Sequence, residues 1–522
     1  MQSVAGNYFI HLSRDLLYLL RSFLVSFQFH PLDSISEKEI HEEEGRRSWN
    51  DFLAASKDEE WQRMRKESLV ICLGLSRSKS YIEDEHFRKT IQDKVCDYSH
   101  QLSLHTSTFE NHKSLGRLQY LHLYRINCIE IPPISDVINV EIRYCMWLRS
   151  VSCLEGVKSL SVETCTSLRK IECTCIESLS VLSCRWHEVH INVEKLKFLE
   201  CSMALLEYFG IEKLISLQKL IINSCPEIPT PLVLPSGIQS FSSAFLPVMD
   251  FRNYPKLQSL KITNMIDQQI VEMKQLIQKN LHLCSELRKL VFHGIALSKD
   301  ILLTHFPMVK DVDFSYGEME DSTLVLTDRI RSITLVNSNV KYIENLSPEK
   351  RYFEINLMNC SALDQSIVPL IRNTTWVNLS NNPWVTDISA LADVPYLSLF
   401  NCNSIEDFSP LGRQRCLDLG LSSKLQNSDL ERLSKVHYLN IDWCSQISDI
   451  SMLRENLVIL ASYLPLLAEA NLLGRDYRRV RLISEQLMQV NISGKVHQLT
   501  VHPHLTTVVN PENCEIIERT EN

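Results

Sequence analysis

The chain has 522 residues, 44% of them hydrophobic and 22% charged, with a net charge of −9 at neutral pH. That balance gives no general attraction for nucleic acid or an anionic membrane. No Gly-rich phosphate loop, paired zinc-protease histidines or nucleophile elbow occurs, so a non-enzyme without cofactor or metal is expected.

The opening MQSVAGNYFIHLSRDLLYLL has no basic leader and places Arg14 and Asp15 inside its apolar run, which argues against a signal peptide. Residues 1–101 read as helices. In FIHLSRDLLYLLRSFL, Leu12, Leu16, Leu19, Leu20, Phe23 and Leu24 fall at helical spacing, with Ser13 placed to cap the start. The acidic SISEKEIHEEEGRR is a solvated connection. Further apolar faces follow at Trp49, Phe52 and Leu53, at Trp61, Met64, Leu69 and Ile71, and at Phe87, Ile91 and Val95. On these residues alone, the block is a helical cap for the segment after it.

From Leu102 the period changes. An apolar pair followed by Cys or Asn returns again and again, as in Val140-x-Ile142-x-x-Cys145, Leu160-x-Val162-x-x-Cys165, Leu179-x-Val181-x-x-Cys184 and Leu220-x-Ile222-x-x-Cys225. Later copies are Ile355-x-Leu357-x-x-Cys360, Val377-x-Leu379-x-x-Asn382, Leu397-x-Leu399-x-x-Cys402 and Leu439-x-Ile441-x-x-Cys444. Strand starts fall near residues 102, 121, 140, 160, 179, 196, 220, 241, 260, 290, 312, 333, 355, 377, 397, 417, 439, 459, 480 and 499. A step of roughly 20 residues is the signature of a solenoid, in which one unit cannot bury its apolar face alone. So short a unit leaves return arms that are extended or one-turn helices. The long step from 260 to 290 holds IDQQIVEMKQLIQKNL, expected as a helical insertion at Ile266–Asn280.

Of the 17 cysteines, Cys145, Cys165, Cys184, Cys201, Cys225, Cys360, Cys402 and Cys444 share one turn position, as small buried packing groups. Cys173-x-Cys175 has no second pair, so zinc is not expected. Leu457–Leu473 carries Glu469 and falls short of the ~20 residues that cross a bilayer. A cytoplasmic or nuclear protein with reduced thiols is expected.

The clearest copy, LSNNPWVTDISAL at Leu379–Leu391, resembles the leucine-rich repeat. The resemblance implies an α/β repeat solenoid, a leucine-rich-repeat horseshoe with a curved parallel β-sheet and a small helical N-terminal domain. The implied divisions are a helical domain at 1–101, an array at 102–508 and a tail at 509–522. A partner would lie on the concave face, where His122, Tyr124, Arg143, Glu163, His293, Asp313, Asn378, Phe400, Asp418, Asn440 and Asp442 point outward. Tyr124, Tyr144, Trp147, Trp384, Phe400 and Trp443 are the candidate aromatic anchors, the alternative for Trp147 and Trp384 being a core position inside a return arm.

The N-terminal block resembles an F-box: Leu12, Asp15, Leu16, Leu20, Phe23 and Leu24, then Arg47-Ser48-Trp49, then Trp61. Ser13 stands where that family has proline, and the connection from Leu24 to Trp49 is longer and more charged. The resemblance implies that Leu12, Leu16, Leu20, Phe23, Leu24 and Trp49 dock on a Skp-type adaptor, joining a cullin and a protein substrate. The chain would then be the substrate-recruiting subunit of a cullin–RING ubiquitin ligase. The alternative is a leucine-rich-repeat scaffold with no ubiquitin link, its N-terminal helices serving only as a cap.

Overall fold

A computed structural model describes residues 41–42, 70–73, 101–105 and 118–519, apart from breaks at 132–136, 153, 155, 225–231, 245–252, 264–285, 295, 475, 503–504 and 506. The docking residues Leu12 to Trp49 and the expected insertion at Ile266–Asn280 lie outside the described residues. The chain divides into two compact units, Met1–Ser224 and Cys225–Asn522.

In the first unit, parallel strands follow one another at Val70–Leu73, Gln101–His105, Leu118–Tyr124, Val137–Arg143, Ser159–Glu163, Ser178–Leu182, Phe198–Ser202 and Lys219–Ser224. Their register keeps the first apolar residue of each motif in one row, Ile71 beside Leu102, Leu121, Val140, Leu160, Leu179, Leu199 and Leu220. From Leu121 onward these side chains are buried. In the second unit the same row runs through Phe241, Leu260, Leu290, Val312, Ile333, Ile355, Val377, Leu397, Leu417, Leu439, Ile459, Val480 and Leu499. Each unit is therefore a parallel β-solenoid of leucine-rich-repeat type, its core threaded between the strands and the return arms.

The return arms vary with length and composition. In the first unit three are themselves parallel strands, Ser150–Ser152, Lys170–Cys173 and Glu188–Ile191. In the second, short helices at Gln365–Ile371, Ser389–Leu391 and Asn427–Leu433 alternate with extended arms such as Glu469–Leu472, Gln489–Ile492 and Thr507–Val509.

Three sequence expectations change. The strand placed at 196 starts at Phe198, because Leu196 closes the short turn Val193–Lys195 and Leu199 takes the core row. Val70–Leu73, read as part of a helix, is a strand with its β-branched residues paired to Gln101–His105, and His41–Glu42 pairs antiparallel on its other side. The segment 509–522, read as a tail, contains one further parallel strand, Cys514–Arg519, which sets Ile517 beside Leu499.

Candidate functional site

The residues just after each strand determine the surface. The residue before the ladder position adopts a left-handed conformation in repeat after repeat: Tyr144, Thr164, Ser183, Asn337, Asn359, Asn381, Asn401, Leu421, Trp443 and Tyr463. The ladder residue then turns inward. Cys402 donates through Sγ to the carbonyl of Leu379 at 3.1 Å, and Cys444 donates to Leu419 at 3.3 Å. Asn382 does the same with its amide, to Leu357 at 2.7 Å and Leu379 at 2.9 Å. At the ladder position Cys145, Cys165, Cys360, Cys402 and Cys444 are buried and Cys184 is partly exposed, whereas Cys201, expected there too, lies inside its strand beside Ile222 because that repeat starts late. All twelve described cysteines are free thiols. Burial pushes the Cys360 and Cys402 thiols up to about 11 and Cys444 to about 12, so they pack as neutral groups and are poor nucleophiles.

The outer face of the strands carries two networks. In the first unit, His122 and Arg143 both grip the Glu141 carboxylate, and Arg143 Nε lies 3.1 Å from Glu163. Burial alone would raise the Glu141 pKa, but the hydrogen bonds and charge interactions of His122 and Arg143 outweigh it and hold it at about 2. Beside this row, Tyr124 meets Tyr144 edge-on at 5.4 Å. In the second unit, His293 pairs with Asp313 at 2.9 Å. Burial and the neighbouring Asp313 and Asp311 carboxylates push Glu354 up to about 7, against the pull of Lys289.

The Asn and Asp residues gathered toward the C-terminal half have a local task. In five repeats the side chain accepts the backbone N–H two residues on: Asp313 from Ser315, Asn356 from Met358, Asn378 from Ser380, Asp418 from Gly420 and Asn440 from Asp442. This turn chemistry steers the chain out of the strand. Asp418, 8% exposed, and Asn440, 3% exposed, are consequently buried instead of offered outward. Asp418 also accepts from Ser398, which is linked to Ser380, and burial moves its pKa up to about 6. His122, Tyr124, Arg143, Glu163, His293, Asp313, Asn378, Phe400 and Asp442 remain partly exposed.

Of the aromatic residues, Trp147 is 68% exposed, Trp443 50% and Tyr144 38%. Trp384 is structural, donating its indole N–H to the Cys360 carbonyl at 2.8 Å. Trp443 stacks on Tyr463 with centroids 4.1 Å apart. A second stack, Trp376 on Tyr396 at 3.9 Å, lies one position ahead of the apolar row, and the pattern of core pairs did not flag it. The return arms hold another missed signal, Asp-x-Ser. At Asp364, Asp387, Asp407 and Asp449 the carboxylate accepts the amide of Ser366, Ser389, Ser409 and Ser451.

No family model and no curated protein matches the chain. Among solved structures, it is similar to the TLR13–ssRNA13 complex at 12% identity, covering 81% of this chain and 74% of that one with a TM-score of 0.47. The functional domain of InlJ from Listeria monocytogenes, which includes a cysteine ladder, matches at 12% identity over 68% of this chain and 74% of that one, TM-score 0.32. Toll in its complex with Spatzle from Drosophila matches at 11% identity over 84% of this chain and 65% of that one, TM-score 0.34. No helix among the described residues is long and apolar enough to cross a membrane.

Proposed function

We propose that this protein is a recognition scaffold that holds a protein partner on the outer face of its strands and carries out no chemistry itself. The observation that carries the reading is the presentation of Trp443, stacked on Tyr463, at a left-handed backbone position where four earlier repeats of the same unit use Asn. A tryptophan there costs backbone strain and exposes apolar surface, and strained, exposed aromatics mark interaction sites. Within this class, the N-terminal motif from Leu12 to Trp61 supports a cytoplasmic or nuclear substrate-recruiting subunit of a cullin–RING ubiquitin ligase, docked on a Skp-type adaptor. The test is affinity capture of the full chain from cells, scored for adaptor and cullin. Leu16→Ala combined with Leu24→Ala is expected to abolish adaptor capture, because burying two leucines is worth roughly 3–6 kcal/mol. Trp443→Ala is expected to leave the adaptor in place and lose the substrate. Adaptor absent from the wild-type capture leaves the scaffold without a ubiquitin link.

A further inference from the structure

One flank of the first unit stacks basic residues side by side with no acid between them. After the ladder, each repeat turns outward on either side of a core residue. Trp147 and Arg149 flank the buried Leu148, and Ser167 and Arg169 flank the buried Leu168. Backbone hydrogen bonds put Arg169 directly beside Arg149 and His187 directly beside Arg169, which places Arg185 next to Ser167. Arg149, Arg169, Arg185 and His187 are exposed and make no ion pair or side-chain hydrogen bond among the described residues. Trp147 at 68% and Met146 at 45% exposure stand at the head of the same flank.

The contrast with another row of the same unit is direct. Lys158, Glu177 and Lys197 are stacked in the same way, but there the acid sits between two bases, with Glu177 3.7 Å from Lys158 and 2.7 Å from Lys197. In that row the stacking sets opposite charges side by side. Like charges one strand spacing apart, about 4.8 Å at the backbone, repel each other. Two adjacent guanidinium groups, a third in the next repeat and a bare tryptophan at their head are suited to an anionic ligand that brings its own apolar group.

We propose that this flank docks a short acidic segment of a partner protein, in extended form, with carboxylates on Arg149, Arg169 and Arg185 and an apolar side chain against Trp147. Guanidinium groups grip carboxylates through two parallel hydrogen bonds, which gives geometric selection as well as attraction. Three repeats span about 10 Å, the length of three to four extended residues at about 3.3 Å each. The footprint is therefore that of a peptide. A long polyanion such as RNA would also meet the repulsion of a chain carrying net charge −9. This surface is separate from the strand face.

The test uses the full-length protein and a fluorescein-labelled peptide of alternating Glu-Glu-Leu units, followed by anisotropy at low and physiological salt. The combined change R149E, R169E and R185E is expected to weaken binding by at least about tenfold, because it turns three modest exposed attractions into repulsions. The neutral set R149Q, R169Q and R185Q should weaken it less, and circular dichroism on both variants checks that the repeats remain folded. Trp147→Ala should weaken binding while leaving its salt dependence in place. No binding by the wild-type chain, or equal affinity in the charge-reversed variant, would overturn the proposal. So would an oligouridylate of the same charge that binds more tightly than the peptide and competes it off.

Discussion

A single backbone angle decides much of the surface of these repeats. In ten repeats between Tyr144 and Tyr463 the residue before the ladder position has φ between 51° and 65°. Left-handed backbone costs an ordinary L-residue about 1–2 kcal/mol and costs Asn less, because its side chain bonds locally. Asn337, Asn359, Asn381 and Asn401 follow that rule, and Asn401 reaches Asn381 at 2.9 Å. Leu421, the next in the series, gains nothing visible for its strain and is 36% exposed. Leu421→Asn is expected to raise stability by about 1 kcal/mol, read from the shift in urea midpoint. An unchanged or lower midpoint would mean that leucine is fixed by a contact outside the described residues. The ladder residue gives a second test. Asn382→Ala takes the side-chain donor from the Leu357 carbonyl, leaves Leu379 only the Cys402 thiol, and should cost about 1–3 kcal/mol. Asn382→Cys should cost less, because a thiol fills this position in neighbouring repeats and the buried Asn382 Oδ1, which has no partner, disappears. At this scale the sequence was readable in its core and ladder. It misled at Asp418 and Asn440, where the outward strand position predicts exposure but turn bonding pulls the side chain in.

At the level of the strand and its neighbours, the informative quantity is which charges lie side by side. Period-two alternation identifies the strand, and nineteen of the twenty expected starts fall within or next to observed strands in register; only 196 slips to Leu199. Cross-strand pairing of polar residues was not legible, because it depends on register between segments some twenty residues apart. Glu354 illustrates the point. Nothing within its own strand perturbs it, but Asp311, Asp313 and burial raise its pKa from 4.5 to about 7. The folded chain therefore holds a proton between about pH 4.5 and 7 that the unfolded chain has released, so stability falls as pH rises through that window. Above about pH 7 the full penalty of the buried charge is present. Glu354→Gln removes the titration, and the variant is expected to match the wild type near pH 4 and exceed it at pH 8. The comparison of denaturation midpoints at the two pH values checks the sign. A wild-type advantage at pH 8 would mean that the ionised carboxylate is stabilising, with Lys289 outweighing the two aspartates.

For the whole molecule, the consequence of a solenoid is that cohesion is passed from each repeat to the next and no further. Each of the two units has a core built from its own strands. Damage should therefore remain local. Leu417 is fully buried and lies between Leu397 and Leu439 in the apolar row of the second unit. Leu417→Asp places an unpaired charge in a dry core, a change expected to cost more than about 4 kcal/mol. Amide hydrogen exchange should then show lost protection in Tyr396–Ser398, Cys416–Asp418 and Tyr438–Asn440, fading over the adjoining repeats. Protection in Val137–Arg143, Ser159–Glu163 and Ser178–Leu182 should match the wild type, since no contact of Leu417 reaches those strands. Simultaneous loss across both sets would show that the chain folds as one cooperative body, and the nearest-neighbour account of its stability would have to be abandoned. Retained protection around residue 417 would instead mean that the carboxyl group finds water or a proton there. That would place a cavity in a core whose packing around Leu397, Leu417 and Leu439 leaves all three side chains buried.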